Sequence, residues 1–240
     1  MRIAFISDIH ANWPALEAAL EDLESREAID DVVCLGDVVG YGADPVRCLD
    51  EVRGRGWLTL VGNHDRACTD TSVLGWFNPE AAEAVRWTVD QLDRDRLAWL
   101  AALPERAEQA GAELVHGSLR DPVYEYVLDA PTAAASLRLL RGRLCFHGHT
   151  HVPGVFHVTE RRLAHSYRVG PLPVPGPALV NPGSVGQPRD GDPDASYGIW
   201  DVEADLFEFR RVPYDRSQAQ RAILEAGLPP RFATRLDFGR

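Results

Sequence analysis

Eight polar residues capable of metal binding or acid–base chemistry follow short apolar stretches of this 240-residue chain. They are Asp8 and His10, Asp37, Asn63 with His64, His116, and His149 with His151. Their donor atoms are carboxylate oxygens, an amide oxygen and imidazole nitrogens, with no thiolate among them. This mixture suits Mn²⁺, Fe, Zn²⁺ or Co²⁺ better than Cu(I) or an iron–sulfur cluster. Two such ions about 3.5–4 Å apart can clamp a phosphate and stabilise its attacking and leaving oxygens.

Each apolar stretch is predicted to be a buried β-strand. The stretches are short and rich in β-branched residues, and they cover residues 3–6, 32–35, 57–61, 113–115 and 144–146. Asp8 and His10, two residues apart at a strand end, project to the same side and can hold one ion together. Asp37 has two carboxylate oxygens and can bridge two ions. Because ligands gather outside the carboxyl ends of strands in α/β sheets, the sequence predicts one shared site at one edge of a sheet.

The remaining pattern predicts helices and strands that carry these turns. A helix is expected to begin near Pro14, with Leu16, Leu20 and Leu23 on its apolar face. A strand, a helix and a strand at this spacing form a βαβ unit. The other predictions are helices at 45–53, 79–103 (one or two) and 217–228, strands at 197–202 and 206–212, and a Pro- and Gly-rich loop at 163–177.

Composition excludes several classes of function. All 25 basic residues are Arg, and the absence of Lys excludes Schiff-base chemistry and a Walker A loop. A net charge of −11 argues against binding long nucleic acid, which needs a basic face. The four cysteines are far apart and are expected to be reduced. Only four apolar residues follow Met1 and Arg2, and no stretch has the length of a membrane span. We therefore expect a cytoplasmic protein that does not bind membranes.

Five motifs in order resemble the calcineurin-like metallophosphoesterase superfamily. They are Asp8-Ile9-His10, Gly36-Asp37-Val38-Val39-Gly40, Gly62-Asn63-His64-Asp65, His116-Gly117 and Gly148-His149-Thr150-His151. The turn Asn181-Pro182-Gly183-Ser184 is similar to a later turn of that superfamily. The resemblance, to a bacterial phosphodiesterase-type branch, implies a four-layer α/β/β/α sandwich of two mixed sheets flanked by helices. We expect one domain over residues 1–240, with a helical insert at about 66–110 that caps the active site.

The resemblance also assigns roles to these residues. One ion would be held by Asp8, His10, Asp37 and His151, and the other by Asp37, Asn63, His116 and His149. A hydroxide bridging the ions would be the nucleophile, and His64 would be the general acid that protonates the leaving group. Mn²⁺ is the favoured metal, with Fe, Zn²⁺, Ni²⁺ and Co²⁺ as alternatives. The protein-phosphatase branch orients its histidine through a Gly-Asp-x-x-Asp-Arg stretch, and this sequence has Gly40 and Tyr41 in place of the last Asp and Arg. The difference disfavours a Ser/Thr protein phosphatase and leaves the orienting carboxylate unassigned, with Asp65 as a candidate.

The resemblance leaves the substrate open. Small phosphodiesters are favoured over monoesters because the Asp-Arg pair is missing. The alternatives are a nucleotidase or dinucleoside polyphosphate hydrolase, and a non-catalytic interaction scaffold on the same fold, which the presence of His64 and all seven ligands disfavours. Asn12, Tyr41 and Arg120 are candidate substrate contacts, although Asn12 could instead cap a helix and Arg120 could be a surface residue. The residues at 76–78 could cover the site or simply pack. A homo-oligomer is compatible with the sequence.

Overall fold

Two six-stranded mixed sheets form the centre of the computed structural model, which describes residues 1–25, 28–158, 162–174 and 176–240. The strands are β1 (Arg2–Ile6), β2 (Asp31–Cys34), β3 (Leu58–Thr59), β4 (Arg106–Gln109), β5 (Ala112–Val115), β6 (Leu144–Phe146), β7 (Gly154–Val158), β8 (Leu163–Ser166), β9 (Gly170–Pro173), β10 (Ala178–Asn181), β11 (Ala195–Asp201) and β12 (Leu206–Val212). The first sheet has the order β3-β2-β1-β11-β12-β9 and the second β4-β5-β6-β10-β7-β8. Within them, β1, β2 and β3 run parallel, as do β5, β6 and β10.

Helices cover the outer faces of both sheets. They are α1 (Trp13–Glu24), α2 (Pro45–Gly54), α3 (Asn63–Thr69), α4 (Pro79–Gln91), α5 (Arg94–Ala101), α6 (Ala130–Leu137), α7 (Arg216–Glu225) and α8 (Pro230–Thr234), with 3₁₀ turns at Thr71–Trp76 and Arg235–Asp237. Leu16 of α1 and Leu49 of α2 pack with Ile6 against the first sheet. Ala133 of α6 packs with Leu179 against the second. The predicted four-layer α/β/β/α arrangement is confirmed.

The two sheets meet through an aromatic core. Ile3 and Phe5 of β1 face the second sheet, whereas Ala4 and Ile6 face the helices, as the alternation of a strand requires. The ring of Phe5 stacks on that of Phe146 in β6, with centroids 3.9 Å apart and planes inclined by 11°. Aromatic pairs of this kind contribute about 0.5–1.5 kcal/mol beyond the burial of their area. This contact fixes β1 and β6 directly opposite each other.

The five predicted strands do not share one sheet, and the expectation of a site at one sheet edge is therefore wrong in this detail. β1, β2 and β3 belong to the first sheet, and β5 and β6 belong to the second. The carboxyl ends of both parallel groups nevertheless lie at the same end of the sandwich, since turns after β1 and after β6 contact each other through the His149 amide and the Asp8 carboxylate. The site lies where the two sheets meet.

Several boundaries differ from the predictions. The predicted loop at 163–177 contains β8 and β9, both at sheet edges, where Pro is tolerated because one side of the strand is unpaired. The last residues of the predicted helical insert form β4 instead of helix. The segment at 79–103 is two helices, because Asp93 caps the second by accepting a hydrogen bond from the Arg96 amide at 2.9 Å. β7 and β10 were not predicted. Among the described residues, no helix is both long and apolar enough to cross a membrane.

Candidate metal centre

The turns after five strands carry all the predicted metal ligands. Asp8 and His10 follow β1, Asp37 follows β2, and Asn63 opens α3 just after β3. His116 follows β5, and His149 and His151 follow β6. All seven side chains are buried, none being more than 7% exposed. The structure thus brings the predicted ligands from both sheets into one place.

Four of these residues form a first cluster of donor atoms. Asp8, His10, Asp37 and His151 each offer an atom, and these atoms all lie within 4.8 Å of one another. Nε2 of His151 is 3.3 Å from Oδ1 of Asp8, and Nε2 of His10 is 3.6 Å from Oδ2 of Asp37. Donors that bind a common ion at bonds of about 2.0–2.2 Å are separated by such distances.

A second cluster shares Asp37 with the first. Donor atoms of Asp37, His116 and His149 lie within 4.8 Å of one another, and Nε2 of His116 is 3.4 Å from Oδ2 of Asp37. The other oxygen of that carboxylate, Oδ1, accepts a hydrogen bond from the His64 amide at 2.8 Å. Oδ2 alone therefore faces both clusters, which makes one oxygen the shared donor.

Unpartnered buried atoms show that these residues fit a pair of metal ions. Oδ2 of Asp37, Oδ1 of Asn63 and Nε2 of His116 are buried without a hydrogen-bond partner among the described residues. Leaving a buried polar atom unsatisfied costs about 1–3 kcal/mol. These atoms therefore suit a bound ion as their partner, and the two candidate clusters contain donors that such an ion would need.

The imidazole rings are oriented as metal ligands. Nδ1 of His10, His116 and His151 lies 3.2, 2.9 and 2.6 Å from the carbonyl oxygens of Val39, Leu35 and Gln187, respectively. A proton on Nδ1 leaves the lone pair of Nε2 directed into the site, the arrangement typical of metal-binding histidines. His149 is turned the other way, with Nε2 3.1 Å from the Tyr124 carbonyl, so its Nδ1 is the available donor.

The backbone at the site adopts an uncommon conformation. Five of the seven ligands have positive φ angles, namely Asp8 (54°), His10 (50°), Asp37 (55°), His149 (67°) and His151 (59°). Residues other than Gly rarely adopt this left-handed region, and they cluster there at functional sites. Gly62 shows how tightly the turns pack, since a Cβ at that position would lie 2.0 Å from Oδ1 of Asp37.

The protonation states of the ligands depend on one another. Burial alone would lower the pKa of His116, but the nearby Asp37 carboxylate raises it to about 9. Burial acts to raise the pKa of Asp37, and the charge of His116 outweighs it, so the pKa of this carboxyl lies well below its usual range. Burial raises the pKa of Asp8 to about 7. A proton on His116 thus supplies the positive charge that Asp37 needs.

His64 lies beside the clusters but does not belong to either. Its ring packs on those of Tyr41 and Phe77, with centroids 4.3 and 5.0 Å away. Nδ1 is buried without a partner among the described residues, and a Cβ on Gly40 would lie 2.5 Å from it. Burial lowers the pKa of His64 to about 4.

Asp65 does not orient His64, contrary to the expectation. Its carboxylate accepts hydrogen bonds from the backbone amides of Val38, Val39 and Gly62 at 3.1–3.3 Å. These bonds join the turn after β2 to the start of α3, because an acidic residue in the first turn satisfies free amides there. Asp65 therefore holds the backbone that carries Asp37 and Asn63.

The three predicted substrate contacts lie in different environments. Asn12 is buried and caps α1, and its Nδ2 donates to the Gly186 carbonyl and the Tyr214 hydroxyl at 2.7 and 3.2 Å. Arg120 is half-exposed and forms a salt bridge with Glu125. Of the three, Tyr41 lies at the candidate metal centre, where its ring centroid is 4.7 Å from that of His10.

Sequence reasoning missed residues that lie around the clusters. Tyr126 stacks on the imidazole of His149 at 3.7 Å, and Tyr124 packs edge to face against the predicted cover residue Trp76 at 5.5 Å. Arg189 donates its amide to the His151 carbonyl at 3.1 Å. Arg189 follows the turn at 181–184 closely in the sequence, and this proximity could have indicated that Arg189 lies near the site. That turn does lie beneath the site, where the Ser184 hydroxyl donates to the Asp8 carbonyl at 2.8 Å.

A cleft of about 280 Å³ opens beside the second cluster. Asn63, His64 and His149 form its floor, and its walls are largely aromatic, with Tyr41, Trp76, Phe77, Tyr124 and Tyr126. Trp76 is 77% exposed. A small molecule in this cleft would contact both the candidate ligands and the aromatic rings.

Comparison with known proteins identifies the family. The family model of the calcineurin-like phosphoesterase superfamily domain matches residues 1–205 of this chain. The chain belongs to this superfamily. Over 243 residues it is 38% identical to an uncharacterized protein of Methanocaldococcus jannaschii, MJ0912, covering 99% of this chain and 98% of that protein.

Solved structures of calcineurin-like phosphoesterases and related chains share the fold. A metallophosphoesterase from Sphaerobacter thermophilus is 43% identical, with a TM-score of 0.90 over 100% of this chain and 99% of that one. A hypothetical protein from Pyrococcus horikoshii, PH1004, is 20% identical, with a TM-score of 0.83 over 100% of this chain and 98% of that one, and it shows the fold alone. The superfamily comprises phosphoester hydrolases that use divalent metals, and the Asp and His clusters are candidate ligands for such metals.

Proposed function

We propose that this chain hydrolyses small phosphodiesters with two divalent ions held by the two clusters. The observation that carries the proposal is the single oxygen, Oδ2 of Asp37, that lies unpartnered between both clusters. Mn²⁺ is the proposed metal, because it accepts carboxylate, amide and imidazole donors together. Two divalent ions at this site would polarise the phosphoryl group and lower the pKa of a nucleophilic water.

His64 is proposed to donate a proton to the leaving oxygen. Its ring borders the cleft, and the Asp37 contact to its amide fixes its backbone. Burial lowers the pKa of His64 and so favours the neutral imidazole. An anionic substrate beside the ring would raise this pKa, because it favours the charged form. Tyr41 and Phe77 hold the ring through packing instead of through a carboxylate. His64 would thus gain its proton most readily once the substrate is bound.

The walls of the cleft support small diesters as substrates. Aromatic side chains pack well on organic groups, and a phosphodiester has two such groups where a monoester has one. Trp76 and Phe77 come from the proposed insert at 66–110, which would form one wall within a single domain. The net charge of −11 and the absence of Lys disfavour a long polyanion such as duplex DNA.

A comparison of substrates tests this function. We would measure kcat/KM in Mn²⁺ for a cyclic nucleotide, a nitrophenyl phosphodiester, a nucleoside monophosphate and a dinucleoside tetraphosphate. The diesters are expected to be the better substrates, and the Asp37→Asn variant, prepared in parallel, measures the background from contaminating phosphatases. A clear preference for either of the last two compounds would overturn the diester assignment. Absence of activity on all four in the metal-loaded protein would favour an interaction scaffold.

A further inference from the structure

Arg189 is a cation at the metal centre that lacks a carboxylate partner among the described residues. Its Nη2 donates to Oε1 of Gln187 at 3.0 Å, its guanidinium also hydrogen bonds to the side chains of Tyr41 and Tyr126, and its Nε is buried without a hydrogen-bond partner among the described residues. A guanidinium has five N–H donors and keeps its charge at all accessible pH values. Arg211, in contrast, forms salt bridges with Asp190 and Asp192 nearby. Among the described residues, the guanidinium of Arg189 therefore keeps one unused donor, Nε–H, and a positive charge that no carboxylate neutralises.

The guanidinium of Arg189 lies next to two of the aromatic residues that line the cleft, Tyr41 and Tyr126. Its central carbon is 5.8 Å from the centroid of the Tyr41 ring, and the backbone of Arg189 is bonded to the metal ligand His151. Its guanidinium hydrogen bonds to the side chains of both Tyr41 and Tyr126. Arg189 is therefore close to tyrosines on both sides, one packed on His64 and the other on His149.

A second arginine increases the positive charge here. Burial and the charge of Arg189 together lower the pKa of Arg235 to about 10, and the Nε of Arg235 donates a hydrogen bond to the oxygen of Arg240. The proposed ligand set contains only two carboxylates, Asp8 and Asp37, against the four charges of two divalent ions. Like charges at short range are unfavourable unless an anion is bound among them. An anion at this edge would relieve the repulsion.

We propose that Arg189 binds a non-bridging oxygen of the scissile phosphate. The planar guanidinium matches the geometry of phosphate oxygens, and the bond would be charge-assisted. This role rests on the proposed phosphoesterase function. Arg189 would contact the phosphoryl group itself, so the effect of removing it should be the same for every class of phosphoester.

Binding of inorganic phosphate provides a test that does not need turnover. We would compare the wild type, Arg189→Met, Arg189→Lys and the control Arg143→Met by titration calorimetry with the Mn²⁺-loaded proteins. Arg143 lies at the other end of β6 and is paired with Asp205. Loss of the contact should weaken phosphate binding by about 10–100-fold, the range for a charge-assisted hydrogen bond. Arg189→Lys should recover part of the loss, and Arg143→Met should match the wild type.

Kinetics then separates a contact from a structural role. Arg189→Ala should lose about 10–100-fold in kcat/KM on diester and monoester alike, keep its metal content near two ions per chain, and recover activity when guanidinium is added. Three results would overturn the proposal, namely unchanged phosphate affinity, loss of the metals, or a loss confined to the dinucleoside tetraphosphate. The last would mean that Arg189 contacts a distant phosphate. A wild type that binds phosphate through Arg189 yet hydrolyses nothing would refute the proposed function alone.

Discussion

Replacement of Asp37 with Asn should abolish both metal sites at once. Oδ2 of Asp37 is 3.6 Å from Nε2 of His10 and 3.4 Å from Nε2 of His116, so one oxygen serves both clusters. Asn keeps the shape and the Oδ1 acceptor for the His64 amide but loses the charge. His149→Ala removes a donor from the second cluster only. Asp37→Asn should therefore bind almost no metal, and His149→Ala about one ion per chain.

Thermal unfolding gives this prediction a magnitude. Free ion at 100 times its Kd stabilises the folded state by about 2.7 kcal/mol per independent site. Two sites counted as independent would add roughly 5.4 kcal/mol, an upper figure for two ions that share one oxygen, which corresponds to a rise in Tm of about 11–22 °C for a chain of this size. The rise should be about half as large in His149→Ala and near zero in Asp37→Asn.

Metal content by plasma emission and Tm by scanning calorimetry, with and without Mn²⁺, would check both numbers. The control is His157→Ala, since this histidine lies on β7, away from the clusters, with Nε2 3.1 Å from the Ser166 hydroxyl. His157→Ala should match the wild type. An Asp37→Asn protein that still binds two ions and shows the full rise in Tm would refute the shared oxygen.

Three further predictions concern His64, its neighbour Gly40 and the proton on His116. His64→Ala should keep about two ions per chain while turnover falls by about 10²–10⁴-fold, and the loss should be smaller for nitrophenyl than for alkyl leaving groups; equal losses would contradict a proton donor. Gly40→Ala should displace the His64 ring, because its Cβ would lie 2.5 Å from Nδ1 at a φ of 93°, so kcat should fall at unchanged metal content. Gly54→Ala, which meets no atom within 4 Å, is the matched control. Asp37 raises the pKa of His116 to about 9, whereas a metal-binding histidine must be neutral. Metal binding at pH 7 should therefore release a proton, and the metal affinity should increase as the pH rises towards 9. Calorimetry in buffers of different ionisation enthalpy measures the released proton, and binding without proton release would contradict the prediction.

The sequence predicts where the candidate ligands lie, because each of them follows a strand. Asp8 and His149 follow apolar stretches that are recognisable from composition, and a shared site requires only that such strands end on the same side. The assignment of strands to sheets was not predictable, since strands that are buried on both faces look alike in either sheet. β9 was missed because Pro171 and Pro173 are typical of loops, and an edge position that allows them is a property of the whole sheet.

The residues around the metal centre were harder to predict for the same reason. Tyr126 and Arg189 reach the site from loops, and no periodicity relates them to His149 or His151. Asp65, a candidate partner of His64, binds other groups, because adjacency to His64 in sequence does not determine which donors a carboxylate meets. Its partners, the amides of Val38 and Val39, belong to a different turn. Contacts between turns depend on tertiary packing and leave no local pattern.

The left-handed backbone of five ligands has a consequence for how the chain would acquire its ions. For residues other than Gly this conformation costs roughly 1–2 kcal/mol each, or about 5–10 kcal/mol for the five. The folded sandwich sustains that strain through the hydrogen bonds of the turns, such as the His10 amide to the Asp37 carbonyl and the Asp8 amide to the Gly36 carbonyl. The backbone around each ion would therefore already have its binding conformation. The binding free energy of the ion would not be needed to bend the chain. Choice among metals would then depend mainly on the chemistry of the donors and on the supply of ions.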